Sequence, residues 1–123
     1  MMEFAKTYKD LRVFQKAYDA SLIIHKTTLG FPKIEQYALG DQMRRSSKSI
    51  CANIVEGFGK QAGSKKEFQR FLSMATGSCD EMQVWLRYAH DLGYIEKKSF
   101  EQWLEEYNHI ARMLQALHKS IDG

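Results

Sequence analysis

The segment from Phe68 to Leu92 constrains the fold more than any other part of the chain. Its apolar residues recur in alternating steps of four and three, the heptad spacing of a helix that packs along a bundle seam: Phe68, Leu72, Ala75, Cys79, Met82, Leu86 and Ala89. A second seam with the same spacing lies beside the first: Phe71, Met74, Ser78, Glu81, Trp85, Tyr88 and Leu92. A helix inside an isolated bundle needs one apolar stripe, so two seams predict burial on two sides and therefore a homo-oligomer.

Two helices are predicted before this segment. The first runs from about Asp10 to Leu29 and is ended by Gly30. Its apolar residues form two neighbouring stripes, the first with Leu11, Phe14, Tyr18 and Leu22, the second with Val13, Ala17, Ala20 and Ile24. The second helix begins near Gly40-Asp41 and ends near residues 57–59. Small residues in it predict a close approach to neighbouring helices: Ser46, Ser47, Ser49 and Ala52.

Capping signals mark the last two helices. Ser64 with Glu67 three residues later predicts a capping box at the start of the third helix, and Gly93 supplies the left-handed residue that ends it. Ser99 with Gln102 predicts the start of the fourth helix, which continues almost to the end of the chain. That helix carries one apolar seam: Trp103, Tyr107, Ile110, Leu114, Leu117 and Ile121.

Length and composition agree with a single helical domain. A chain of 123 residues with one proline, 44% apolar and 27% charged residues is typical of one globular unit. The predicted fold is all-α: an antiparallel up-and-down four-helix bundle spanning residues 1–123 that assembles into a barrel-like homo-oligomer. No apolar run approaches the ~20 residues that cross a bilayer, so the protein is expected in the cytoplasm and away from membranes. Cys51 and Cys79 form no C-x-x-C pair and are expected to be buried free thiols.

Charge is concentrated in one part of the chain. Residues 44–70 carry seven basic and two acidic side chains, whereas residues 71–123 carry five basic and eight acidic ones. Clustered cations release counterions from phosphates, which predicts nucleic-acid binding. The preferred contacts are Lys60, Lys65, Lys66 and Arg70, followed by Arg44, Arg45 and Lys48. One of the latter three is expected to pair with Glu56 or Glu81 inside the bundle.

Four polar residues lie on or beside the apolar seams, namely Asn53, Glu56, Ser78 and Glu81. Buried carboxylates often occur at functional sites, so a binding or catalytic cluster is one interpretation. The preferred interpretation is a structural hydrogen-bonded network that fixes the register of the helices.

Two patterns have counterparts in catalytic sites. Glu106-x-x-His109 has the spacing of a di-iron bundle, but the second such pair that those sites require does not occur, which favours a solvated face. Arg112 and His118 resemble the Arg-x4–6-His pattern of the HEPN ribonucleases, although Met113 stands where that family usually has a polar residue. We therefore predict no enzyme, no metal, no cofactor and no small-molecule substrate, with a HEPN-like ribonuclease as the least favoured alternative.

Several segments together resemble a known family, the bacterial four-helix-bundle proteins encoded within intervening sequences of 23S ribosomal RNA. They are QMRRSSKSICANIVEGFG (Gln42–Gly59), SKKEFQRFL (Ser64–Leu72), GSCDE (Gly77–Glu81) and DLGYI (Asp91–Ile95). The segments Tyr8–Asp19 and Phe31–Leu39 fit the same family. The chain departs from it mildly, with Ser46-Ser47 where alanines are frequent and Cys51 where proline is frequent.

This resemblance implies an antiparallel bundle that forms a barrel-like homopentamer. The family is similar to the accessory protein of diversity-generating retroelements, a basic pentamer that works with a reverse transcriptase and nucleic acid. It implies little about activity, since the family name reports where the genes lie. The leading hypothesis is a non-enzymatic oligomer that binds RNA or DNA through its basic face. The alternative is a structural scaffold whose basic rim contacts acidic helices of a partner protein or a neighbouring subunit.

Overall fold

Four helices make up the fold. The computed structural model describes residues 5–121, in which no strand occurs. The helices are α1 (Arg12–Thr28), α2 (Leu39–Lys60), α3 (Lys65–Asp91) and α4 (Lys97–Ile121). Single 3₁₀ turns precede the first two, at Tyr8–Asp10 and Lys33–Glu35. The prediction of an all-helical chain with four helices is confirmed.

Each helix packs against its neighbours in the chain, and α1 closes the bundle by packing against α4. α1 and α3 therefore lie diagonally opposite each other, as do α2 and α4. The connections from α2 to α3 and from α3 to α4 span only residues 61–64 and 92–96, so these long helices run antiparallel. Within the described part of the chain, no helix is both long and apolar enough to cross a membrane.

The core is built from the seams that the sequence predicts. All seven residues of the first α3 seam are buried, and so is the α1 stripe that contains Val13 and Ile24. The other α1 stripe is only partly covered, since Tyr18 is 48% and Leu22 is 41% exposed. The second α3 seam is also incompletely covered, with Met74, Tyr88 and Leu92 exposed. A single chain thus leaves apolar surface on both helices, and the predicted homo-oligomer stays a prediction.

The start of α3 uses half of the predicted capping box. The Ser64 hydroxyl accepts a hydrogen bond from the backbone N–H of Glu67 at 3.1 Å. The Glu67 carboxylate does not return the bond, because it binds the guanidinium of Arg70 one turn later. The C-terminal end of α3 agrees better with the sequence prediction than its start does.

Gly93 ends α3 in the left-handed region, with φ of 83°. Its N–H donates to the carbonyl of His90 at 2.9 Å, and the N–H of Tyr94 donates to the carbonyl of Ala89 at 2.8 Å. These two bonds form a Schellman motif, which satisfies carbonyls that the helix leaves free. A side chain with a Cβ would be strained at this φ whatever the space around it.

The predicted cap of α4 at Ser99 is three residues too late, because Glu96 occupies the cap position. The helix begins at Lys97, and the carbonyl of Glu96 accepts the first helical hydrogen bond from Phe100 at 2.9 Å. Ser99 and Gln102 are therefore both inside the helix. The short connection after Gly93 brings the chain back to the core at Ile95, which is buried, and the helix starts directly after it.

Tyr107 is the one large polar side chain of the core whose hydroxyl lacks a protein hydrogen-bond partner within residues 5–121. It is 1% exposed, and burial raises the pKa of its phenol far above the ordinary value. Tyr107→Phe removes the buried polar group and keeps the ring, so we expect the free energy of unfolding to rise by about 1 kcal/mol. Thermal unfolding followed by circular dichroism should show a midpoint about 4 °C higher.

Tyr94→Phe provides the matched control, because the Tyr94 hydroxyl donates to a Glu35 carboxylate oxygen at 2.7 Å. That variant should lose about 1 kcal/mol. A Tyr107→Phe protein less stable than the wild type would show that the Tyr107 hydroxyl is hydrogen-bonded after all.

Candidate nucleic-acid interface

Three lysines lie together at the connection between α2 and α3. Lys60 is the last residue of α2, and Lys65 and Lys66 are the first two of α3. The connection is folded tightly, since the carbonyl of Lys60 accepts from the N–H groups of Gly63 at 3.1 Å and Ser64 at 2.9 Å. All three lysine side chains are exposed, and none forms an ion pair with another residue of the range 5–121. We call these three residues the basic end.

Arg70 lies one turn further along α3, and a carboxylate already engages it. Its guanidinium donates to both oxygens of Glu67, each at 3.1 Å, and lies 4.7 Å from the centre of the Phe71 ring. This bond to Arg70 holds the pKa of the Glu67 carboxyl below its ordinary value, and Lys60 adds to the effect. Because the Glu67 carboxylate offsets the charge of Arg70, we expect Arg70 to attract a phosphate less strongly than each of the three lysines does.

Arg44 has a structural position. Its Nη1 donates to the Thr28 hydroxyl at 2.9 Å, and its Nη2 donates to the carbonyl of Gln36. The side chain is half-buried and ties α2 to the end of α1 and to the connection that follows it. Gly40 leaves room for it, because a Cβ there would lie 3.1 Å from the Arg44 Nη1 atom.

The remaining two candidates lie in the first half of α2. Arg45 is exposed, and the Nζ of Lys48 lies 3.0 Å from Nδ1 of His25. The prediction that one of the three cations near the start of α2 pairs with Glu56 or Glu81 is wrong for residues 5–121, since no ion pair joins them. The seven predicted contacts thus do not form one surface: sixteen residues of helix separate Arg44 from Lys60, about 24 Å along the axis.

Two of the four predicted polar residues, Ser78 and Glu81, form hydrogen bonds between α3 and α2, whereas Asn53 bonds within α2. The Asn53 amide donates to the carbonyl of Ser49 at 2.9 Å and to its hydroxyl at 3.1 Å. The Ser78 hydroxyl of α3 donates to the same Ser49 hydroxyl at 3.1 Å. Glu56 is exposed and lies outside this group.

A second set of bonds lies one turn away in α2. The Ser46 hydroxyl donates to a Glu81 oxygen at 2.8 Å and accepts from the indole N–H of Trp85 at 3.1 Å. The sequence indicated Ser46 and Ser49 only as small residues. Their spacing of three on the α2 face opposite Ser78, Glu81 and Trp85 is the signal that could have identified them. These bonds join α2 to α3, and the predicted role of such a network in fixing the register of the helices stays a prediction.

The two cysteines are free thiols. Burial raises the pKa of Cys51 to about 11 and that of Cys79 to about 12. Both are therefore protonated at neutral pH, the inert state of a buried cysteine. Cys79 belongs to the core and Cys51 is half-buried beside it.

One residue of each catalytic pattern, Glu106 and Arg112, has an oppositely charged partner outside the pattern. Glu106 faces Lys16, whose Nζ lies 3.8 Å from its carboxylate. Arg112 binds Glu105 at 3.3 Å and is exposed, and a separation of six residues places His118 about 120° away from Arg112 around α4. Across residues 5–121 there is no group of three or more histidine, cysteine or acidic side chains that would hold a metal ion.

Comparison with known proteins agrees with the fold. The family model for the 23S rRNA-intervening sequence protein matches residues 9–116. A crystal structure of a protein with unknown function, from the S23 ribosomal protein family of Bacteroides thetaiotaomicron, is 25% identical with a TM-score of 0.78. The similarity covers 87% of this chain and 95% of that one. No curated protein matches significantly. The match over most of its length shows that this chain belongs to the family of 23S rRNA-intervening sequence proteins.

Proposed function

We propose that this protein is a non-enzymatic, cytoplasmic, self-associating bundle that binds RNA or DNA through its basic end. The observation that carries the proposal is the arrangement of Lys60, Lys65 and Lys66. These exposed lysines lie within seven residues of each other at one end of the bundle and form no ion pair with the rest of residues 5–121. Unpaired cations at such a density attract phosphates and release their counterions.

The amino end of α3 supports the same assignment. Lys65 and Lys66 occupy the first two positions of a helix of 27 residues, where the backbone N–H groups carry partial positive charge. A phosphate near these side chains would therefore meet the dipole of α3 as well as the lysines. The charge of Arg70 adds to this field, reduced by its bond to Glu67.

Recognition of base sequence finds no support. Phe58, the aromatic residue nearest the basic end along α2, is half-buried and packs edge-on against Phe68 with ring centres 6.2 Å apart. Its packing against the core leaves the ring poorly placed to stack on a base. We expect binding that is electrostatic, tolerant of sequence and strongly dependent on salt.

Self-association would multiply this surface. The apolar side chains left exposed on α1 and α3, among them Tyr18 at 48% and Tyr88 at 54%, support an assembly that covers them. Five subunits are expected from the family resemblance. An assembly that presents several basic ends would bind a long nucleic acid more tightly than one chain does, through effective concentration.

The test is fluorescence anisotropy with a structured RNA, a DNA duplex and a single strand at low and near-physiological salt. Lys65→Glu/Lys66→Glu should abolish binding, whereas removing the same charges as alanines should lower the salt slope by about two. The matched control is Lys97→Glu/Lys98→Glu, which places the same change at the first two positions of α4, at the other end of the bundle. Loss of affinity in the control equal to that in the test variant would contradict the assignment of the basic end.

The second candidate is a protein-binding scaffold without a nucleic-acid role. The observation that favours it is the exposed apolar surface on α3, where Val84 is 51% and Tyr88 is 54% exposed. Absence of binding to all three nucleic acids at low salt, with the oligomer intact, would support the scaffold over the nucleic-acid proposal.

A further inference from the structure

We propose that copies of this chain join head to tail: Ile34 and Tyr37 of one copy insert into the groove between α3 and α4 of the next copy. The inference rests on the self-association in the proposed function and names the two surfaces that meet. We call residues 31–38, which connect α1 to α2, the docking loop.

The docking loop carries the two most exposed large apolar side chains of the described residues. Ile34 is 82% and Tyr37 is 96% exposed. Single apolar residues on a surface are ordinary, but these two are three residues apart on one short connection. Tyrosine is among the residues that most often anchor protein interfaces.

Side chains on the inner side of the loop hold it in place. The amide of Gln36 donates to the carbonyls of Thr28 at 2.8 Å and Phe31 at 3.0 Å, and the carbonyl of Gln36 accepts from Arg44. Each bond joins the loop to a helix or to the loop itself. The backbone between Ile34 and Tyr37 is therefore fixed from within the subunit.

A second tether comes from the connection between α3 and α4. One Glu35 carboxylate oxygen accepts from the Tyr94 hydroxyl at 2.7 Å, and the other accepts from the N–H of Leu39 at 3.3 Å. The rings of Phe31 and Tyr94 lie 5.3 Å apart. Because the loop is already ordered, docking it would lose little conformational entropy, which favours binding.

The groove that we assign to the neighbouring copy lies between α3 and α4. It has a volume of about 770 Å³ and is lined in part by Val84, Tyr88 and Leu104. Val84 and Tyr88 are more than half exposed, so apolar surface is available to an incoming side chain. The volume of the groove is large enough for an isoleucine and a tyrosine side chain together.

Charge favours the docking loop as the occupant. Lys33 precedes Ile34 and is exposed, while the carboxylate of Glu35 is bonded to the Tyr94 hydroxyl and the N–H of Leu39, so Lys33 is the charged side chain that the loop presents beside Ile34. The groove is lined by Asp80 and Asp91 as well as by Arg87. Asp80 forms no ion pair within residues 5–121, whereas Asp91 lies 3.0 Å from Nδ1 of His90, so Asp80 is the acidic side chain that remains for Lys33. The Arg87 guanidinium lies 5.6 Å from the centre of the Phe100 ring.

The two surfaces are formed by different residues of one subunit. The docking loop joins α1 to α2 and contacts Tyr94 in the connection from α3 to α4, whereas the groove is lined by side chains of α3 and α4 that the loop does not include. One copy can therefore use its loop and its groove at the same time, with two different neighbours. Such a contact is heterologous, and repeated contacts of this kind close into a ring or extend as a chain.

The test is a complementation experiment read by light scattering after gel filtration. The loop variant is Ile34→Glu/Tyr37→Glu, and the groove variant is Val84→Lys. Each variant alone should be monomeric, because each lacks one half of the contact. An equal mixture should form a dimer and nothing larger, since the intact loop of one variant meets the intact groove of the other.

Controls separate this inference from the proposed function. Ala116→Glu, an exposed position on α4, should leave the oligomer unchanged, and circular dichroism should show folded proteins throughout. A wild type that is monomeric at all concentrations would contradict both the proposed self-association and this contact. If the wild type and both variants are oligomeric, this contact is wrong but the proposed self-association stands. The docking loop then remains available to another protein. Monomeric variants whose mixture stays monomeric would overturn the head-to-tail arrangement.

Discussion

Replacing Gly57 with alanine should lower the free energy of unfolding by about 1–3 kcal/mol. A Cβ at this position would lie 2.8 Å from the Cβ of Phe71 and 3.2 Å from the carbonyl oxygen of Phe68. Both atoms are fixed by the backbone of α3, so α2 and α3 would have to move apart. Alanine favours helix over glycine by about 1 kcal/mol, so the cost of the close contact itself exceeds the net loss by about that amount.

Gly59→Ala is the matched control, because Gly59 is in the same helix and a Cβ added there would meet no atom within 4 Å. That variant should be as stable as the wild type or gain up to about 1 kcal/mol. Urea denaturation gives both values on one scale. A Gly57→Ala protein that matches the Gly59→Ala protein would mean that α2 and α3 do not need this close approach.

Replacing Arg44 with methionine should cost about 2–3 kcal/mol of stability and leave nucleic-acid affinity unchanged. The guanidinium donates to the Thr28 hydroxyl and to the Gln36 carbonyl, which lie on different parts of the chain. Methionine keeps most of the apolar volume but leaves both acceptors without this donor. The change should appear in the denaturation midpoint and not in the anisotropy titration.

Arg44→Lys also separates a role in stability from a role in nucleic-acid binding, because it keeps the positive charge and removes the guanidinium. A lysine ammonium lacks the planar fork that reaches two acceptors at once, so most of the stability should still be lost. If Arg44→Met instead weakened nucleic-acid binding several-fold at unchanged stability, Arg44 would be a phosphate contact, as the sequence predicted. The Lys65→Glu/Lys66→Glu protein should show the reverse pattern, with lower affinity and normal stability.

Local signals in the sequence account for most of the fold. The heptad seam of α3 depends only on spacing within one helix, and all of its members are buried. Gly93 is predictable because a glycine after a periodic segment is the usual helix end. The cap at Ser64 is predictable on similar grounds, but Glu67 has a competing partner in Arg70 one turn away. The predicted start of α4 was misplaced because a serine pattern is weaker than the need to bury Ile95.

Less of the candidate site than of the fold could be predicted from the sequence. Lys60, Lys65 and Lys66 lie close together in the chain, so their proximity in space was predictable. The partners of Arg44 were not, because they lie eight and sixteen residues away and one is a backbone carbonyl. Charge alone made Arg44 look like a ligand contact. Glu56 lies near other polar residues in the sequence, yet it is exposed and separate from their hydrogen bonds.

The two ends of this bundle differ, so the subunit has a polarity. One end carries Lys60, Lys65 and Lys66, and the other holds the tether between Glu35 and Tyr94. In an assembly with a single rotation axis parallel to the helices, every subunit points the same way and all basic ends lie on one rim. Added perpendicular two-fold axes would divide them between two rims. The symmetry of the oligomer therefore determines whether a bound polyanion follows one face of the particle or bridges both.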